Sequence, residues 1–201
     1  MASELYVETL KGLTSGANAN KVIIPSGQTL EIGDGLATSN MPTGSVIGVY
    51  QSTLQGGWST TSASWSDITD LTVTITPQSA SSKFLVSFDV TGGNTTGGGG
   101  VKIVRDISGV GSTNIMNGIN WSSRTPSSVG NYYTYGDNNS QMTNGVSKLD
   151  APNTTNSITY KLQARLGVSG GTFQINNTVN QTDVAYTFLT TSHITVMEIA
   201  G

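Results

Sequence analysis

Few residues in this chain have the types and spacing that chemistry needs. His193 is the only histidine, so a hydrolytic triad or an imidazole metal site could be built only around it. It stands at the head of the alternating run TSHITVME, where a structural side chain is the simpler reading. Asp67 and Asp70 in WSDITDL are a close carboxylate pair; glycoside hydrolysis needs two such groups held several ångströms apart, but acids in this setting cap turns. Glycines 97–100, followed by Val101 and Lys102, have the look of a phosphate loop, yet the GxxxxGK[ST] spacing and the following helix are missing. The expectation there is a flexible hairpin loop running into the strand VKIVRDI. Asp34 in GDG lacks the alternating oxygen ligands of a calcium loop and reads as a turn. No catalytic residue, metal site or cofactor is expected, and the chain reads as a non-enzyme.

The strongest chemical signal is a binding signal. The stretch GINWSSRTPSSVGNYYTYGDNNSQMTNG (118–145) concentrates Trp121, Tyr132, Tyr133 and Tyr135 among Ser, Asn and Gly, with Arg124 and Asp137 as its charged members. Stiff aromatics give contact area at low entropic cost, and small amides and hydroxyls give adaptable hydrogen bonds, which is the composition of a paratope. Their ring faces also suit the apolar side of a sugar. The competing reading is that the tyrosines pack the edge of the body or a subunit contact.

These residues must be carried by strands. Only 10% of the 201 residues are charged, with net charge −3, while 35% are hydrophobic. Disordered chains combine low hydrophobicity with high net charge, and this chain has neither. Period-2 alternation recurs after residue 44 and helical periodicity does not. It is clearest at Leu71, Val73 and Ile75, at Phe84, Val86, Phe88 and Val90, and at Ile158, Tyr160, Leu162, Ala164 and Leu166. Val46 to Gln51, Val101 to Asp106, Phe173 with Ile175, and Ile194 with Val196 add further strands. Turn clusters at 56–60, 76–82, 92–100, 150–157 and 167–172 separate them. Many short strands between turn signals make an antiparallel β-sandwich, with a jelly-roll-like arrangement favoured.

Residues 1–41 differ. SELYVETL alternates, Val22-Ile23-Ile24 precedes a Pro25-Ser26-Gly27 turn, and Leu30 and Ile32 alternate before Gly33-Asp34-Gly35. An isolated hairpin is marginal in water, so this extended N-terminal arm needs a partner for its apolar positions. A linker, ATSNMPTG, places the boundary near Pro42, giving an arm at 1–41 and a sandwich domain at 42–201.

The scattered nine Lys and Arg argue against nucleic acid. The absence of cysteine removes disulfides and thiolate metal sites. No apolar run approaches the ~20 residues of a membrane span, and the N-terminus has no signal-peptide core. The expectation is a protein made in a cytoplasm that stays soluble or leaves without a signal, as a particle released by lysis does. Six N-x-[ST] sequons, at Asn94, Asn120, Asn138, Asn153, Asn176 and Asn180, are what chance gives in such a composition.

Several motifs together resemble structural proteins of tailed bacteriophages of marine bacteria, cyanophages among them. The start, with Ser3, Leu5, Val7, Thr9 and Leu10, is similar to theirs, and IPSGQTLEIGDG (24–35) resembles short repeats of phage fibre shafts. Pro42, Gly44, Ser45, Val46 and Ile47 resemble the lead into their terminal domains. The tryptophan-led segment 58–68, ITPQSASSKFLVS, LDAPNTTNSITYKLQ and ITVMEIAG are similar to that domain's strands. The stretch 107–148 has no counterpart. The resemblance implies a virion location and a homotrimeric fibre or fibre-tip protein for host attachment. In such fibres three chains wrap one axis, which would bury Val22, Ile24, Leu30 and Ile32 between chains. It further implies that residues 1–41 contact other virion proteins and that a host surface glycan or protein is the target. A capsid decoration or head-fibre protein is the alternative, and a glycan-degrading enzyme a distant one.

Overall fold

The computed structural model describes residues 41–94, 96–130 and 138–201, together with 15–16 and 26–27. The chain divides into two compact units, Met1–Leu36 and Ala37–Gly201. In the first, Ser26 and Gly27 form a turn in which Gly27 takes a φ of +83°. The trimer-contact positions Val22, Ile24, Leu30 and Ile32 lie outside the described residues, as does Asp34.

In the second unit the described residues are all-β with no helix. They form β1 (Val46–Leu54), β2 (Trp58–Thr60), β3 (Ser66–Ile75), β4 (Lys83–Gly93), β5 (Gly99–Ile107), β6 (Gly111–Asn114), β7 (Val129–Gly130), β8 (Met142–Asp150), β9 (Ile158–Leu166), β10 (Phe173–Ile175) and β11 (Ser192–Ile199). All pairings are antiparallel. One sheet runs β1-β11-β4 with β8 along the far edge of β4, because β8 pairs Phe84 through Gly92 while β11 takes Lys83 through Asp89. Short β10 and β2 extend this sheet beyond β11. The other sheet runs β3-β9-β5-β6, with β7 on the start of β5. Numbering the eight principal strands along the chain, the sheets read 1-8-3-6 and 2-7-4-5. That is the two-sheet jelly roll, in which successive strands cross between sheets except at the β5-β6 hairpin.

The expected alternation builds the core. Phe84, Val86, Phe88 and Val90 of β4 face Ile158, Tyr160, Leu162, Ala164 and Leu166 of β9, each at most 1% exposed. Burying a side chain of this size contributes roughly 1.5–3 kcal/mol, so these two strands dominate the hydrophobic term. In β3 the alternation is broken. Between the pairs Asp67↔Gln163 and Thr72↔Lys161, β3 advances five residues while β9 advances two. Asp70, at φ +67°, absorbs this bulge, so that Ile68 and Leu71 are both fully buried. Bulges of this kind re-aim side chains at the rim of a sheet.

One inward position of β5 is charged. Val101, Ile103 and Ile107 point into the core, and Arg105 on the same face donates from Nη1 to both Asp150 oxygens, at 2.8 and 3.0 Å. The buried Tyr160 hydroxyl donates to Asp150 Oδ2 at 2.8 Å. Asp150 pairs with Phe84 in one sheet, Arg105 with Tyr160 in the other, and the Phe84 and Tyr160 rings lie 5.8 Å apart. Four residues thus bolt the two sheets together.

Three expectations are corrected. Glycines 97–100 do not form a hairpin loop: Gly99 and Gly100 begin β5, and the preceding turn carries the chain from one sheet to the other. The cluster 56–60 is only partly a turn, since Trp58–Thr60 pairs with β10. The stretch 118–145 was read as loop throughout, yet β7 and the start of β8 fall within it.

The body closes on itself, since its first and last strands pair from Val46↔Ile199 to Leu54↔Ser192. Gly44 N donates to Ala200 O at 2.7 Å and Ala200 N to Ser45 O at 2.9 Å. A fragment of residues 42–201 is expected to melt cooperatively by circular dichroism; a non-cooperative melt would contradict this closure. Asp150→Ala should cost about 3–5 kcal/mol in chemical denaturation, because it strands Arg105 in the core. Burial, then the Asp150 charge, raises the Tyr160 pKa. A phenol raised in the folded state adds stability that is complete below the free tyrosine value near ~10 and is lost as pH climbs above it. Tyr160→Phe should therefore flatten the alkaline loss of stability relative to the parent, as measured by denaturation at pH 8 and at higher pH.

Candidate functional site

The polypeptide joins the body beside Ala200, at the end where the 76–82 crossover is held by Gln78 N on Glu198 Oε1 at 2.7 Å. From β1 the chain runs to the opposite end, and so do β4, β8 at its start and β9 at its finish. Parts of four connections gather at this distal end: 55–65, 96–98, 115–130 and 167–191. Several clefts of the body lie there, while another, lined by Met41, Ile47, Gln78 and Ala200, lies at the opposite end.

Trp65 walls two adjoining clefts. One, of about 150 Å³, is lined by Gly97 to Gly100, Thr125, Ser127, Arg165 and Gly167. The other, of about 290 Å³, is lined by Lys102, Asn114, Asn117, Gly118, Asn120 and Pro126. Each is smaller than the ~300–1,000 Å³ of sites that enclose a drug-sized ligand. Glycine is required in the first wall: Gly97 and Gly98 sit at φ +71° and +72°, and a Cβ at Gly99 would lie 2.9 Å from the Phe173 ring.

Lys102 is on the outer face of β5 yet only 8% exposed, because Trp65 and the 114–126 segment cover it. Its Nζ lies 4.6 Å from the Trp65 ring centroid, and the Arg165 guanidinium 5.9 Å from it. The natural partner of Lys102 would be Asp67, across Gln163 on the same face. Both Asp67 oxygens are already taken, by Lys161 Nζ at 2.8 Å and Gln163 Nε2 at 2.6 Å. Burial pulls the Lys102 pKa down and the Asp67 charge restores only part of it. Burial also pushes the Asp67 carboxyl up, but hydrogen bonds from Lys161 and Gln163, with the charges of Lys161 and Lys102, hold it below its usual range. Among the described residues the clefts therefore present cations and no carboxylate, an arrangement that accepts an anionic group.

The 115–130 segment is fastened to β5. Ser128 Oγ donates to Met116 O and accepts from Ile103 N, and Ser128 N donates to Val101 O at 3.0 Å. Trp121 and Arg124 close a tight turn, Arg124 N donating to Trp121 O at 3.1 Å with Ser122 at φ +53°. The Trp121 side chain is 63% exposed, at the same end as the clefts but outside their lining. Tyr132, Tyr133, Tyr135 and Asp137 lie outside the described residues. The segment 182–190 adds exposed Tyr186, Phe188 and Leu189, which the composition-based reading passed over.

The other candidates are dispersed. Asp67 is engaged as above, while Asp70 sits in the β3 bulge with its carbonyl accepting from Ser52 Oγ. His193 pairs across strands with Asp89, Nε2 to Oδ2 at 3.4 Å, on the exposed face. Two sequon asparagines are structural: Asn94 donates to Gly98 O at 2.8 Å, and Asn176 donates to Leu54 O at 2.7 Å and accepts from Ser192 Oγ at 2.6 Å. Among the described residues no group of three or more His, Asp or Glu side chains comes together to hold a metal. Trp65, Lys102 and Arg165 were not legible as a site, because they are far apart in sequence and two of them sit on strands at outward positions.

No known protein family and no curated protein matches the chain. Among solved structures it is similar to chains of infectious bursal disease virus: the Gx strain (11% identity, 83% of this chain and 42% of that one, TM-score 0.35), the Gt strain (14%, 88% and 45%, 0.35), and the VP2 subviral particle (14%, 76% and 37%, 0.32). The chain spans less than half the length of each. Superpositions of this quality assign no function to it.

A buried lysine whose desolvation outweighs the pull of the nearby Asp67 charge is a net burden on the fold, so its neutral isostere should be tolerated. Lys102→Met is expected to leave the melting temperature unchanged or raise it. A clear drop in a thermal melt would instead make Lys102 a structural residue.

Proposed function

We propose that this chain is a virion structural protein, a trimeric fibre or fibre-tip protein that attaches to a particle through residues 1–41 and presents its distal loops to a host surface. The observation that carries this reading is the polarity of the jelly roll. The chain joins the body at one end, beside Ala200, and the clefts and exposed aromatics gather at the other. The phage-like sequence motifs support it. Assembly would take place in the host cytoplasm, with other virion proteins and two further copies of the chain as partners and neither nucleic acid nor membrane involved. In this reading the chain is not an enzyme.

A capsid decoration or head-fibre role is the second reading, favoured by one feature. Val49, Met197, Leu85 and Leu149 form a row of cross-strand neighbours over the outer face of β1, β11, β4 and β8, with Val49 61% and Leu149 51% exposed. A flat apolar row of this kind suits a neighbour in a shell or a second protomer.

Light scattering on the full chain is expected to give three times the 20.9 kDa of one copy; a stable monomer at micromolar concentration contradicts the fibre reading. Trp121→Ala and Tyr133→Ala are each expected to lower adsorption to host cells at unchanged melting temperature. An anchor of this type loses ~2 kcal/mol or more on truncation, and three copies would offset weak single sites through avidity. Normal adsorption by both variants removes this loop from the attachment surface. Imaging of labelled copies separates the tail from the capsid location.

A further inference from the structure

We infer that the paired clefts beside Trp65 bind an acidic sugar, a carboxylated or sulfated glycan unit whose anionic group sits on Lys102 and Arg165. The inference rests on the attachment reading for its purpose, but its chemistry comes from the clefts alone.

Among the described residues neither cleft is lined by a carboxylate. Lys102 is 92% buried and makes no ion pair with a described residue, since Lys161 and Gln163 have claimed both oxygens of Asp67. Its ammonium faces the Trp65 ring, a contact that orders the side chain without neutralising it. Arg165 is tethered by Nε to Leu166 O at 2.9 Å, which leaves the η nitrogens without a hydrogen bond among the described residues. A cation held in a polar recess with no direct ion pair, its desolvation only partly offset by the Asp67 charge, is costly to the fold, and an incoming anion would offset that cost. Two cations are enough for one acidic group and too few for a phosphodiester chain, whose recognition takes a run of them. The rest of the lining fits a sugar ring. Thr125, Ser127, Asn114, Asn117 and Asn120 supply uncharged donors and acceptors, Trp65 supplies apolar surface, and the glycine wall admits a ligand close to backbone.

The test is calorimetric titration of the full chain with a galacturonate trimer, a sulfated galactose trimer and a neutral galactose trimer, beside adsorption to host cells. At least one acidic probe is expected to bind tenfold or more tightly than the neutral one, and the preferred arm tells carboxylate from sulfate. Lys102→Met and Arg165→Gln should each weaken that binding about tenfold or more at unchanged melting temperature. Arg165, half-buried at the cleft margin, serves as the second variant should Lys102→Met fold poorly. Equal binding of the neutral probe, or full affinity in both folded variants, overturns the inference. A protein that adsorbs to cells yet binds no probe also overturns it and leaves the attachment reading standing. Acidic-probe binding without any adsorption does the reverse.

Discussion

The charged contact between Arg105 and Asp150 is the constraint around which the two sheets are arranged. It joins an inward position of β5 in one sheet to the last residue of β8 in the other, and the Tyr160 hydroxyl completes it. A buried ion pair is rarely a large net source of stability, because desolvation offsets most of its attraction. Its effect is on specificity. An arginine in the core tolerates only a register that supplies a carboxylate, and a one-residue slip of β8 would turn Asp150 to the outer face. The weakly patterned strand β8 is thereby fixed in place by the strongly patterned β5 and β9.

The jelly-roll order then determines what the surface can do. Every connection between principal strands except the β5-β6 hairpin crosses to the opposite sheet, so loops far apart in sequence meet at one end. The β3 bulge belongs to the same design. It seats Ile68 and Leu71 in the core, while Asp67, just ahead of it, stays on the outer face with Lys161 and Gln163. That engagement is why Lys102 makes no direct ion pair with Asp67.

Much of the architecture was legible in the sequence. The strands with one apolar face, β3, β4, β9 and β11, announce themselves by period-2 alternation, because a half-buried sheet selects side chains by parity. β8 does not, and the reason is physical. Its inward positions, Asn144, Val146, Lys148 and Asp150, lie on an edge strand where the inner face is partly solvated, so no apolar rhythm is imposed. Inward-pointing charge on an edge strand also discourages pairing with further chains. The glycine run was misread for a related reason: glycine marks a sharp backbone path but not whether that path turns back or crosses over.

The sequence by itself determined the class of the fold, since composition and alternation are local properties that each segment carries alone. It also singled out the aromatic segment around Trp121, with surface binding and packing at an edge as its two readings. Only the tertiary structure decided which residues meet. Trp65, Lys102, Ser127 and Arg165 come from four separate stretches, and their proximity is set by inter-sheet crossovers, which leave no trace in any one of those stretches. Whether a lysine is paired depends on what its neighbour's carboxylate has already bound, and that is settled only when the strands are laid side by side.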